Sequence, residues 1–149
     1  MEAKMANPKT ATSEDFLERL RRSVTQSGFS SFLAADPVKC SNGEAELVIP
    51  LGEQLTQHHG FAHGAVVGAA ADNACAWAAA SVAGDVVTSS YTLQLLAPAM
   101  GERLRARGVV LKKGRRQLSV RSDVFVEQGD QSKLVATALA SIAIVEPKQ

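Results

Sequence analysis

At 149 residues the chain is long enough for one domain with a buried core, and 46% hydrophobic with 21% charged residues is an ordinary globular balance. A formal net charge of +1 argues against a general binder of nucleic acid or of membrane surfaces. Two cysteines, Cys40 and Cys75, are too few for a disulfide framework, so a reduced, cytoplasmic setting is expected.

Met1 to Thr12 is polar and lacks the apolar stretch of a secretory signal. We expect a disordered tail at 1–12, followed by a single domain over 13–147. Thr12-Ser13-Glu14-Asp15 then opens a helix, because a hydroxyl cap followed by acids suits the positive end of the helix dipole. Phe16, Leu17, Leu20 and Val24 recur at helical spacing, and Gly28 is expected to end the helix. Asn42-Gly43 is a strong hairpin signal between strands predicted at 35–41 and 44–50. A loop over 51–62 follows, carrying Gln57, His58, His59 and Gly60.

The segment from His63 to about Ala83 is the most informative of the chain. It reads as one long helix of small apolar residues, closed by Gly84, with one carboxylate, Asp72, at its middle. A helix that is apolar all round is expected to be buried, and a carboxylate there must find partners, shift its pKa or do chemistry. The length would suffice for a membrane span. The alanine-rich composition and a central Asp, which costs about 2.5–3.5 kcal/mol on insertion, argue against one. Strands are then predicted at 86–97, 104–112, 117–128 and 133–145, between turns at Gly101, Gly114 and Gly129, with apolar and polar residues alternating along 104–112 and 117–128. Helix, hairpin, apolar helix and a meander of four strands imply an α+β hotdog fold: an antiparallel six-stranded sheet wrapped around a long central helix.

Gln57-x5-His63-Gly64-Ala65-x6-Asp72, then Val87-Thr88, then Leu95-x2-Pro98-Ala99, resembles the PaaI-like acyl-CoA thioesterases of the hotdog superfamily. Lys113-Gly114-Arg115 matches the Arg-Gly-Arg-like hairpin of that family, and the resemblance spans roughly 35–145. It implies that Asp72 is the catalytic carboxylate and that the Gly64 backbone N–H polarises the thioester carbonyl. It also implies that Thr88 helps to hold the attacking water and that Gln57 touches substrate or water. His63 and Ala65 fall in the substrate-binding loop. Ala65 stands where the family has a second glycine, and Gln57 where it has Asn; both departures bear on substrate range. The resemblance implies no cofactor and a homodimer, extended to a dimer of dimers.

The chemistry also follows from the residues themselves. A helix N-terminus offers unpaired N–H groups and a positive dipole end to a developing oxyanion, worth about 3–4 kcal/mol. Asp72 can act as general base on water or attack as nucleophile, and the two routes stay open. Gly64 and Asp72 are eight residues apart, about 12 Å along one helix axis. They cannot both touch one thioester from one helix, so an active site shared between two antiparallel copies is expected. His59 and His63 have i, i+4 spacing, but no carboxylate or cysteine completes a ligand set with them or His58, and no metal is expected. A Cys75–His63 catalytic pair is excluded by twelve residues of helix, about 18 Å.

Eight of the sixteen basic residues are Arg103, Arg105, Arg107, Lys112, Lys113, Arg115, Arg116 and Arg121. Most belong to solvated strand faces. Lys113, Arg115 and Arg116 surround a glycine turn, where they can present charge to the phosphates of coenzyme A. Trp77 and Phe61 are aromatic candidates for shaping an acyl pocket. Two other functions fit the same fold: a hydratase or dehydratase of acyl thioesters, and a non-catalytic acyl-CoA-binding protein.

Overall fold

The computed structural model describes residues 13–147, so the expected tail at 1–12 and the capping role of Thr12 lie outside the described residues. Helix α1 (Ser13–Gln26) lays Phe16, Leu17, Leu20 and Val24 against the sheet. The helix ends at Gln26, just before Gly28 as expected, but Gly28 takes no left-handed conformation there. The Ser27 N–H returns to the Ser23 and Val24 carbonyls, and the chain turns directly into a second helix, α2 (Gly28–Phe32). Burial of Leu33 anchors this turn. The left-handed residue that leaves it is Ala34, at φ 51°.

Strands β1 (Asp36–Ser41) and β2 (Glu44–Pro50) form the expected hairpin. Asn42 and Gly43 both take positive φ, the requirement of a tight two-residue turn. A single 3-10 turn (Glu53–Leu55) interrupts the following loop. Helix α3 (Gly64–Ala83) then precedes β3 (Val86–Leu95), β4 (Arg103–Lys113), β5 (Gln117–Gln128) and β6 (Gln131–Ile144). All six strands make one antiparallel sheet in the order β1-β2-β4-β5-β6-β3. The expected four-strand meander therefore holds only for β4, β5 and β6. β3 pairs with β6 at the far edge, and residues 96–102 carry the chain back across to β4 beside β2.

The sheet wraps α3, as in the hotdog arrangement. The N-terminal half of α3 packs with Leu47, Ile49, Leu104 and Val124, and its C-terminal half with Cys40, Leu118, Val120 and Ile142. At Gly108 of β4 the strand presses against the helix backbone. A Cβ there would lie 2.2 Å from the Ala74 carbonyl oxygen. α3 is long and apolar enough by length and composition to cross a bilayer, but here it forms the core of the sheet.

The expectation that α3 is buried all round is corrected. Val66, Val67, Ala70, Ala71, Ala74, Cys75, Ala78 and Ala79 are buried, whereas Ala69, Asp72, Asn73, Ala76 and Ala80 are only partly covered. The cause is topological. The sheet's edges are β1 and β3: the Asn73 amide reaches Ser30 of α2 on the β1 side at 3.5 Å, and on the β3 side nothing described lies beyond the edge to cover the flank. The same edge exposes Val87, Tyr91 and Leu95, with Leu139 on β6.

Candidate active site

The loop before α3 is held at several points. The Ala62 N–H donates to the Ala99 carbonyl and the His63 N–H to the Leu55 carbonyl. The Gln57 N–H donates to the Phe61 carbonyl, and the Gln57 side-chain oxygen accepts from the His59 N–H. His63 is the N-cap of α3. Its ring Nδ1 accepts the Ala65 N–H at 3.0 Å, replacing the usual hydroxyl or carboxylate cap. His63 thus positions the first turn of the helix, and the exposed Ala65 has its N–H occupied.

The Gly64 N–H donates to no group among the described residues. Gly64 lines a cleft of ≈ 450 Å³ with Gln57, Phe61, Val67, Leu95 and Leu96. The cleft is largely apolar, with a free helix N-terminal donor at one wall, which suits a carbonyl carried on an apolar chain. Phe61 takes the expected place in this wall. Trp77 does not, because it packs against both halves of the core.

Two turns further along α3, Asp72 lies on the partly covered flank. Its Oδ1 accepts a hydrogen bond from the Thr88 hydroxyl of β3 at 2.6 Å. A bulge in the β3–β6 pairing between Thr88 and Ser90 shifts the strand's alternation. Thr88 and Tyr91, three residues apart, consequently both turn toward α3.

The structure therefore brings Gly64 together with Gln57, and Asp72 together with Thr88, but leaves the two pairs about 12 Å apart along the helix. Lys113, Arg115 and Arg116 lie at the opposite end of α3 from Gly64. The Lys113 amine donates to the Val82 carbonyl at 2.6 Å, a cation on the negative end of the helix. Arg115 and Arg116 are exposed in the β4–β5 turn. Of the other basic residues, Arg103 and Arg105 pair with Glu127, Arg105 and Arg107 with Glu46, and Arg121 with Asp123. Hydrogen bonding to Arg105 holds the Glu127 carboxyl below its ordinary range. The four strand-face arginines share three carboxylates, whereas Arg115 and Arg116 in the turn have no ion pair among the described residues.

Both thiols are buried and free. Burial pushes Cys75 up to about 11 and Cys40 up to about 12, and each S–H faces a backbone carbonyl, of Val120 and Trp77 respectively. They behave as core residues. Sequence reasoning did not single out Tyr91, which faces α3 between the Gly64–Gln57 and Asp72–Thr88 pairs. The β3 alternation would have shown it, had the bulge after Thr88 been legible.

The thioesterase superfamily model matches residues 59–133, the span that holds α3 and β3 to β5. A search of curated proteins returns no match. Among solved structures, a thioesterase family protein from Silicibacter pomeroyi is 29% identical, with a TM-score of 0.81 over 86% of this chain and 96% of that one. A mutant of the phenylacetic acid degradation protein PaaI from Thermus thermophilus is 28% identical, with a TM-score of 0.71 over 80% of this chain and 100% of that one. PaaI of E. coli, at 21% identity, shares the fold with a TM-score of 0.81 over 90% of this chain and 96% of that one. The resemblance read from the sequence thus holds, and the chain belongs to the thioesterase superfamily, with the PaaI-like hotdog fold.

Proposed function

We propose that the protein is an acyl-CoA thioesterase whose active site is shared between two copies of the chain. The observation that carries this reading is the division of one helix into two incomplete half-sites. One has a free N–H at Gly64 in an apolar cleft, and the other has a carboxylate, Asp72, hydrogen-bonded to Thr88 on an uncovered flank. Neither half can hydrolyse a thioester alone. Two antiparallel copies, joined along the exposed β3 edge, place Gly64 of one beside Asp72 of the other.

In this reading the acyl chain lies in the cleft with its carbonyl oxygen on the Gly64 N–H. Gln57 sits at the same wall, and His63 and Ala65 shape the first helical turn. Asp72 either takes a proton from a water held with Thr88, or attacks the carbonyl carbon to give an anhydride that water then opens. By either route water adds to the acyl carbon, the C–S bond breaks, and the free acid and the thiol of coenzyme A leave. Antiparallel pairing also brings the turn that holds Lys113, Arg115 and Arg116 toward the cleft of the other copy, where the nucleotide phosphates would emerge. No cofactor takes part. The two buried free thiols agree with a reduced, cytoplasmic setting, and the dimer is read as the unit of a dimer of dimers.

The test is release of free thiol from a panel of straight-chain and aromatic acyl-CoAs by the wild type and Asp72→Asn. Asn keeps hydrogen bonding without the charge. We expect its turnover to fall by about 10²–10⁴-fold, the scale of a lost general base, with an unchanged circular dichroism spectrum. Near-normal turnover in the Asn variant would overturn the assignment of Asp72. Hydration of an enoyl thioester without thiol release would indicate a hydratase, and binding without turnover a carrier.

A further inference from the structure

The groove between α3 and β3 has three levels, each one helical turn apart. At the first, Leu95 packs over Gly64, its Cδ1 3.2 Å from where a Cβ on that glycine would lie. At the third, Thr88 donates to Asp72. At the second, Tyr91 lies over Gly68: its Oη is 3.2 Å and its Cε2 3.9 Å from where a Gly68 Cβ would lie, with Leu93 Cδ2 at 3.4 Å. Gly68 offers no side chain, so the Tyr91 ring, with Leu93 beside it, fills the space over the helix between Gly64 and Asp72. Tyr91 is 44% exposed despite facing the helix, and its hydroxyl makes no hydrogen bond among the described residues. The ring buries Gly68 from the β3 side, and its hydroxyl faces the uncovered flank.

We propose that Tyr91 is the partition between the two active sites and sets the length of acyl chain that each accepts. The inference rests on the shared-site reading. If Gly64 of one copy meets Asp72 of the other, Gly68, midway between them, lies at the two-fold axis. Tyr91 then stands at the centre of the interface, with one site on either side. An acyl chain entering past Gly64 would run along Val67 and Leu95, which line the cleft, and then meet the Tyr91 ring that covers Gly68 one helical turn further on. The wall is the body of the ring, so Tyr91 is a specificity residue rather than a catalytic one.

Steady-state kcat and KM are measured for straight-chain acyl-CoAs of increasing length with the wild type, Tyr91→Phe, Tyr91→Leu and Tyr91→Ala. Dimer content is checked by sedimentation. Tyr91→Phe keeps the length profile. Tyr91→Ala moves the optimum to longer chains, raising kcat/KM for the first chains beyond the wild-type limit by about tenfold or more, the worth of an accommodated methylene. The change appears mainly in KM. A folded, dimeric Tyr91→Ala with the wild-type profile would overturn the proposal. If that variant does not fold, the shorter apolar wall of Tyr91→Leu gives the same reading with a smaller displacement. If the wild type cleaves none of these thioesters, the thioesterase reading fails by itself. Calorimetric binding of the same acyl-CoAs to wild type and variants then still decides whether Tyr91 limits chain length.

Discussion

Asp72 sits in a helix that, apart from Asn73 and Trp77, is composed of alanine, valine, glycine and other small residues. Asp is a weaker helix former than Ala, and a half-buried carboxylate must replace lost hydration. The Thr88 hydroxyl supplies one donor at 2.6 Å, and the open flank leaves the rest of the carboxylate reachable. A carboxylate kept for structure alone would be expected to bind backbone or a cation, and Asp72 has neither of these contacts among the described residues. The basic turn poses a second question at this scale. Lys113 is occupied by the Val82 carbonyl, whereas Arg115 and Arg116 have exposed side chains with no ion pair among the described residues. Arg115→Ala or Arg116→Ala should weaken binding of acyl-CoA by about tenfold, the scale of one charge-assisted hydrogen bond. The same variants should leave binding of a truncated acyl-pantetheine thioester nearly unchanged. Titration of both ligands decides the matter, and equal losses would return these arginines to ordinary solvated surface.

At the scale of elements, the close approach of α3 to the sheet is fixed by glycine. Gly108→Ala would place a methyl 2.2 Å from the Ala74 carbonyl oxygen and 3.2 Å from the Cys75 nitrogen, and both neighbours are helix backbone. Overpacking of this kind costs about 1–3 kcal/mol and sometimes more. Chemical denaturation of Gly108→Ala should show at least that loss, and wild-type stability would mean that α3 can withdraw from β4. The elements themselves were largely legible. Alternation marked β4 and β5, the Gly129 turn bounded β6, the Asn42-Gly43 pair marked the hairpin, and small apolar residues marked α3. What failed depended on contacts distant in sequence. α1 stops before Gly28, but with no left-handed glycine there the chain re-enters a helix, α2, whose following Leu33 is buried. β3 reads as the first strand of a meander, because nothing local tells an edge strand beside β6 from a neighbour of β4.

At the scale of the whole molecule, the unfinished edge organises the account. An edge strand with exposed Val87, Tyr91 and Leu95 is a surface that proteins normally cover. Here the uncovered flank also carries Asp72. The residues proposed for the site were named from their spacing and the family resemblance, and the helical rise alone separates Gly64 from Asp72. It did not supply the pairing of Asp72 with Thr88, the capping of α3 by His63 or the place of Tyr91, since each depends on a bulge or a loop conformation that folding creates. The central claim is that two chains complete each site, and subunit exchange tests it most directly. Asp72→Asn and Gly64→Val homodimers should each be nearly inactive, the second because a side chain enters the cleft against Leu95. In a mixed dimer both lesions fall on one site, and the other keeps an intact Gly64 and an intact Asp72. Mixing the two variants under exchange should therefore restore thiol release, approaching half the wild-type rate per mixed dimer. Mixed dimers confirmed by native mass spectrometry that remain as inactive as their parents would contradict the shared site.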